Sequence, residues 1–347
     1  MRNVTMRDIG RRVGVSAVTV SKALSGRSGV SEAMRRRIVA AARDMGYVNP
    51  NQARQELSRG LDVGILIPDQ YFAPESFYAM LYKLLVHALT DSGHFSVLEL
   101  VSEEMERTLT LPRLLRSGRV DAVILLGQPS RAYTRLIAEG PVPAVFLDFY
   151  DESAGADAVV GDNAYGCYRL TSHLIKNGHR HIGFVGNRRA TSSIMDRYLG
   201  FYRAMLLHDL PIREDWILPD RDETGHLLPL QLPPELPTAL VCNCDLVARE
   251  TIRQLRLRGI RVPEDISVVG FDDFSAGAEE APALSSFHVD VTAMAQMAVK
   301  LVADRCSGTQ KPFGRVVVGG HPVYRDSDLP LNAPETTPPG PAPGQQP

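Results

Sequence analysis

Two spacings of apolar residues divide the chain. In residues 6–13, Ile9 and Val13 stand four apart; Val20 and Leu24 repeat the step. From about Ser31 a longer stripe runs through Met34, Ile38, Ala41 and Met45. Apolar positions three or four apart mark the buried face of a helix. Thr5 can cap the first helix, and Gly14-Val15-Ser16 can make a tight turn with Ser16 capping the second. Two short helices, a tight turn and a closing third helix predict a helix-turn-helix head over residues 1–48.

From Asp62 the spacing changes to short unbroken apolar runs: 63–68, 95–100, 120–126, 142–148, 181–186, 238–243 and 266–272. Helical stretches separate them, at 76–91, 163–177, 196–208 and 245–258. Unalternated strands interleaved with helices predict parallel sheets covered on both faces. A body of this length holds more than one core, so two lobes are expected. The expected layout is a hinge at 49–60 and a two-lobed α/β core at 61–326. Lobe 1 takes about 61–161 and 290–320, and lobe 2 about 162–289. The Pro- and Gly-rich end, 327–347, is expected to be a disordered tail.

Charge sharpens the division. Residues 1–60 hold 12 Lys+Arg against 4 Asp+Glu, and the remainder 26 against 36, although the whole chain is only −2. A basic head on an acidic body points toward nucleic acid. The outward face of the second helix carries Ala17, Val18, Ser21, Lys22 and Ser25. Small apolar groups suit thymine methyls in a major groove, and Lys22 can reach guanine acceptors. Thr5, Ser16, Thr19 and Ser21 can donate to phosphates and fix register. The opening residues lack a signal-peptide pattern, no segment is apolar enough to span a bilayer, and four cysteines make no disulfide scaffold; the cytosol is the expected compartment.

In the body, ligands of open α/β sheets sit beyond the carboxyl ends of strands. Asp69, Asp148, Asn243-Cys244-Asp245 and Asp272-Asp273 follow such runs. With Arg197 and the aromatics Tyr71, Phe72, Phe77 and Tyr78, they could grip a polyol, since carboxylates accept from hydroxyls and rings cover a sugar's apolar face. Cys242-x-Cys244 is too little for a metal site, "GFVGN" lacks a full phosphate-binding fingerprint, and Asp272-Asp273 comes without a nucleophile. No cofactor and no enzymatic activity are expected.

The stretches "VTMRDIGRRVGVSAVTVSKALSG" and "VSEAMRRRIVAAARDMGYVNPN" resemble the DNA-binding head of the lactose-repressor (LacI/GalR) family. The likeness continues through "VVGDNAYG", "LTSHLIKNGHRHIGFVG", "DRYLGF" and "LRLRGIRVPEDISVVGFDDF", and covers residues 4 to about 326. It implies a homodimeric, possibly tetrameric, regulator, most simply a repressor, on pseudo-palindromic operator DNA, with a core like periplasmic binding proteins. Chain crossings between lobes are expected near residues 161, 289 and 320. The likeness also implies a small-molecule effector, a sugar in most readings, held by Phe77, Asp148, Arg197, Asp245 and Asp272. Cys244 stands where the family usually has Asn, so a weak thiol replaces an amide and the effector's identity stays open. After the head, the family inserts a hinge leucine into the minor groove. Counting from Pro50-Asn51 puts Leu57 there; counting from Tyr47 puts Glu56 there. Leu57 is preferred, because a carboxylate would be repelled. Two rival readings remain: a nucleobase-responsive corepressor system on the same fold, and a sugar-binding or enzymatic α/β protein.

Overall fold

A computed structural model describes residues 4–24, 29–45, 60–74, 76–274, 282–308 and 311–331. Ser25, the hinge residues Glu56 and Leu57, and the tail from 332 lie outside the described residues. Contacts divide the chain into two compact units, Met1–Gly60 and Leu61–Pro347.

The first unit holds α1 (Met6–Val13), α2 (Ala17–Leu24) and α3 (Glu32–Asp44). Thr5 starts α1 through a reciprocal cap: its Oγ accepts from the Asp8 amide, and the Asp8 carboxylate accepts from the Thr5 amide at 2.9 Å. Such a box satisfies two amides that a helix start otherwise leaves unpaired. Gly14 ends the helix at φ 79°, where an L side chain is disfavoured, and its amide returns to the Gly10 carbonyl at 2.9 Å. Ser16 Oγ then accepts from the Thr19 amide at 3.1 Å and opens α2. Ile9, Val20, Ala23, Ile38, Ala41 and Ala42 form the buried core, while Val13, Leu24, Met34 and Met45 close its margins. The apolar stripes predicted the helices well, but the two buried alanines, Ala23 and Ala42, lie outside them.

The second unit contains two parallel sheets. Strands β1 (Asp62–Pro68), β2 (Phe95–Val101), β3 (Ala122–Leu126), β4 (Ala144–Leu147), β5 (Asp157–Gly161) and β11 (Arg315–Val318) lie in the order β11-β5-β4-β3-β1-β2. The other sheet comprises β6 (Ile182–Val185), β7 (Ile217–Leu218), β8 (Ala239–Cys242) and β9 (Ser267–Val269), ordered β7-β6-β8-β9. Every pairing within each sheet is parallel. The central strands β1, β3, β4, β6 and β8 are buried almost throughout, as their unalternated runs require.

The chain crosses between the lobes after β5, after β10 (Ser286–Val289) and between β11 and β12 (Gly320–Val323), with β10 and β12 paired antiparallel. The helix Val291–Cys306 returns to the first sheet, burying Met294, Ala298 and Val302. Strands β5, β7, β10, β11 and β12 were not foreseen from the sequence. They are two to five residues long, too short for a pattern of spacing to mark them.

The expected tail needs correction. Residues 327–331 are not disordered but complete the second lobe along β9, the edge of its sheet. The Val268 amide donates to the Ser327 carbonyl at 2.8 Å, and Ser327 Oγ donates back to the Val268 carbonyl at 2.6 Å. Asp328 meets His173 Nε2 at 2.7 Å, and the Leu329 carbonyl meets His179 Nε2 at 3.0 Å. The Pro- and Gly-rich composition begins only at Ala333, and the expected boundary at 327 took in residues that instead hydrogen-bond along the edge of a sheet.

Candidate functional site

The head and the core each gather candidate residues, in opposite ways. On α2, Val18 is 65% exposed. Ser16, Ser21 and Lys22 are also exposed, and Ala17 and Thr19 half-buried. The outward face therefore presents small apolar groups and hydroxyls to whatever the helix meets. Three of the candidate hydroxyls already have partners inside the head: Thr5 Oγ donates to Asp8 at 2.6 Å, and Ser16 Oγ and Thr19 Oγ1 share a 2.9 Å hydrogen bond.

In the core, strand ends and helix starts of both lobes converge. Arg197, on the helix Ser192–Leu207, is buried, and each guanidinium nitrogen has a partner. Its Nε donates to Asn163 Oδ1 at 2.8 Å, and its Nη1 donates to the Asn243 carbonyl at 2.6 Å. Its Nη2 forms a 3.0 Å ion pair with Asp272 Oδ1. That pair lacks the alignment of a hydrogen bond, so the oxygen keeps its accepting capacity. The guanidinium lies 4.0 Å from the centroid of Phe271, which stacks on Phe287. Both rings press against Gly166, where a Cβ would collide with them, so the aromatic floor under Arg197 requires glycine there.

Asp148 follows β4 and Asp272 follows β9. Both have positive φ, 69° and 103°, which is unusual for residues other than glycine. Strain of this kind persists only where surrounding contacts impose it, and it concentrates at functional sites. Asp148 accepts from Tyr78 Oη at 2.8 Å, and its carbonyl accepts from Ser193 Oγ of the other lobe at 2.6 Å. Burial raises the Asp148 carboxyl above its ordinary range, with Arg197 and Tyr78 opposing. Burial pushes Asp272 up to about 7, against the pull of Arg197 and helped by Asp148.

The other predicted residues separate. Phe77 packs edge-on against Tyr78 and against Phe274 of the opposite lobe. Cys244 is in the cleft, its Sγ 4.0 Å from Arg221 Nη2, and burial raises its thiol to about 12. Asp245 is spent within the protein: one oxygen accepts from the Phe274 amide at 2.7 Å, the other from Ser286 Oγ at 2.6 Å. Burial, with Asp272 nearby, raises it to about 8. Its carboxylate therefore braces a strand end instead of offering a free acceptor.

Sequence reasoning missed Arg221, which stands at the end of the β7 segment. The same strand-end logic would have found it, but the two-residue β7 is too short to read as a strand. Its side chain is 12% exposed, and its Nε donates to Asp220 at 2.7 Å.

The lobes touch across the cleft. Ser192 N donates to Gln128 Oε1 at 2.8 Å, the Tyr150 amide donates to Ser192 Oγ at 3.0 Å, and Gln70 Nε2 reaches the Thr224 carbonyl at 3.3 Å. Beside these contacts a cavity of about 910 Å³ opens at the flank, lined in part by Gln128, Tyr150, Thr191 and Ser192. The central charged residues Arg197, Asp148 and Asp272 do not line this volume.

A helix-turn-helix unit preceding a two-lobed α/β core with a polar interlobe cleft defines a class, the ligand-responsive DNA-binding regulators. Residues 5–51 match the model for bacterial regulatory proteins of the lacI family, and residues 171–327 match a periplasmic binding protein-like domain. The chain is 27% identical over 309 residues to the HTH-type transcriptional repressor PurR of Aliivibrio salmonicida (strain LFI1238), covering 87% of this chain and 92% of that relative. It is 26% identical over 339 residues to the PurR of Actinobacillus pleuropneumoniae serotype 3 (strain JL03), covering 94% and 99%. Among solved structures, the transcriptional regulator CelR–cellobiose complex aligns with a TM-score of 0.67 at 25% identity, covering 94% of this chain and all of that one. The lac repressor dimer bound to operator and the anti-inducer ONPF aligns with a TM-score of 0.62 at 21% identity, over 94% and 100%. The chain thus carries a lacI-family DNA-binding domain followed by a periplasmic-binding-protein-like domain. It is a DNA-binding transcriptional regulator with an effector-binding domain.

Proposed function

We propose that the protein is a repressor whose affinity for a pseudo-palindromic operator is set by a sugar or sugar derivative bound between the two lobes of each subunit of a homodimer. The observation that carries this reading is the convergence of Arg197, Asp148 and Asp272, buried where the two lobes meet, with Asp148 of one lobe tied to Ser193 of the other. Paired carboxylates and a guanidinium fork suit a ligand rich in hydroxyls. Phe77 and Tyr78 offer an apolar wall, and Cys244 makes space where a longer amide would stand. Asp245 acts from behind, by bracing the cleft.

On DNA, α2 enters the major groove. Ala17, Val18, Ser21 and Lys22 face base edges, and Ser16, Thr19 and Thr5 face phosphates. Leu57 takes the minor-groove wedge. The 65% exposure of Val18 supports this assignment, since an isolated exposed valine on a basic head gains from a thymine methyl and nothing from water. A ligand that favours the closed lobes changes operator affinity only as far as its own affinities for the two states differ.

The names of the PurR relatives favour a second reading, in which a purine base acts as corepressor. One experiment separates the two. Thermal unfolding of the full chain is measured against a panel of neutral sugars and purine bases, and each hit is then added to an operator-binding assay. A sugar that stabilises the protein and releases operator supports the first reading; a purine that tightens operator binding supports the second. Stabilisation that survives Arg197→Ala would remove the cleft from both.

A further inference from the structure

The two arginines of the cleft differ in how completely the protein satisfies them. Arg197 has oxygen partners for all three nitrogens. Arg221 donates its Nε to Asp220 Oδ2, and among the described residues its Nη2 has only the Cys244 sulfur at 4.0 Å. Asp220 cannot serve Arg221 alone: its Oδ1 accepts from the Asn187 amide at 2.8 Å and its Oδ2 also from Asn243 Nδ2 at 2.9 Å. The thiol of Cys244 stays neutral, because burial raises it to about 12, so it does not balance the guanidinium. Arg221 nevertheless faces the cleft: its charge lowers both Tyr71 and Asp272.

A nearly buried guanidinium whose fork lacks oxygen acceptors is arranged for a bidentate oxyanion. The interlobe cavity of about 910 Å³, which is lined by Glu223 and Thr224 of the same loop but not by Arg221 itself, bears the same sign, with four arginines (Arg131, Arg135, Arg188, Arg189) against three acids. Arg135 is engaged by Ser153 and Arg188 by Glu214, while Arg189 only approaches Glu223 at 3.8 Å and both of those side chains are exposed. We infer that Arg221 is the anion-recognising residue of the cleft and that the effector is an acidic sugar derivative, carrying a carboxylate or a phosphate. This deepens the sugar reading above and rests on it. Asp148 and Asp272 do not forbid an anion, since burial already raises both toward their neutral forms.

The test uses the purified full chain and matched sets of a hexose, its uronic acid and its phosphate ester, with affinities measured by titration calorimetry. An acidic member should bind wild type more tightly than the neutral member. Arg221→Gln should weaken the acidic ligand about tenfold or more, as expected for a lost hydrogen bond to a charged group, and Arg221→Lys should restore part of it. Whether the uronate or the phosphate responds identifies the source of the oxyanion. Arg221→Gln breaks the buried pair with Asp220, so its unfolding temperature should fall; affinities are therefore compared at temperatures where both proteins are folded, and there the effector-free operator affinity should stay near wild type. The inference is overturned if the neutral hexose binds as well as its acidic partners, if Arg221→Gln leaves acidic binding unchanged, or if no member binds wild type. Acidic binding that persists in Arg197→Ala would instead overturn the cleft reading itself, and with it this inference.

Discussion

The head exposes its candidate contacts, whereas the core buries its own. On α2, Val18, Ser21 and Lys22 are exposed, and the buried core beneath them consists of a few small side chains. In the cleft, Arg197, Asp148, Asp272 and Asp245 are buried and bonded to one another or to neighbouring backbone. An exposed recognition residue can be exchanged with little effect on folding, so its changes read out in binding. A buried ionic residue is part of the fold, so its changes read out in stability and ligand response together.

The sharpest contrast comes from Arg197→Ala. It strands Asp272 and removes the support of Asn163 and the Asn243 carbonyl, and breaking a buried pair in this way costs about 3–5 kcal/mol. Calorimetry should show the core transition lowered and the effector response lost, while operator affinity of the folded protein stays near wild type. An operator affinity that falls in parallel would erase the contrast. Ile38→Ala tests the head from within. Ile38 is fully buried, and truncating such a side chain costs about 2–5 kcal/mol, a large share of what so small a core supplies. Operator binding should collapse while effector binding to the core persists.

Lys22→Ala should change neither unfolding transition. It should cost about 1–3 kcal/mol per half-site at one symmetric pair of operator positions, as measured by binding to single-base variants. A uniform loss over all sequences would make Lys22 a phosphate contact. The contrast extends to pH dependence, which falls on the core. Burial raises Asp272 to about 7 and Asp245 to about 8, so the folded core holds protons that the unfolded chain releases near pH 4. That proton binding favours the folded state fully below about pH 4 and is lost as pH rises through about 7 to 8, so this contribution declines across that window. Asp272→Asn should flatten the lower part of the decline. A slope identical to wild type would show that Asp272 titrates normally in the folded protein.

The head was legible because its determinants are local. A cap at Thr5, a left-handed Gly14, a second cap at Ser16 and apolar steps of four fix three helices within about forty residues, each through neighbours in sequence. The core strands with long apolar runs were legible for the same reason. Arg221 was not, since a two-residue strand leaves no periodicity, and its significance lies in partners at Asp220 and Cys244. Nor were the internal bonds of Asp245, which reads as a ligand contact by position and also accepts from Ser286, 41 residues away. Residues 327–331 were misread because their composition does not reveal that a distant sheet edge needs capping.

The sequence by itself determined the helix-turn-helix head, the parallel strand-and-helix core, the segregation of charge and the nomination of Asp148, Arg197 and Asp272. Hydrophobic spacing, capping and strand-end position are properties of short segments, so they survive without knowledge of the fold. Tertiary structure alone decided which of those charges neutralise one another and which keeps capacity for a ligand. Arg197 is satisfied by Asn163, Asn243 and Asp272, while among the described residues the Arg221 Nη2 meets only the Cys244 sulfur. Desolvation and pairing depend on groups brought together from distant parts of the chain, and only their distances separate a brace from a binding group.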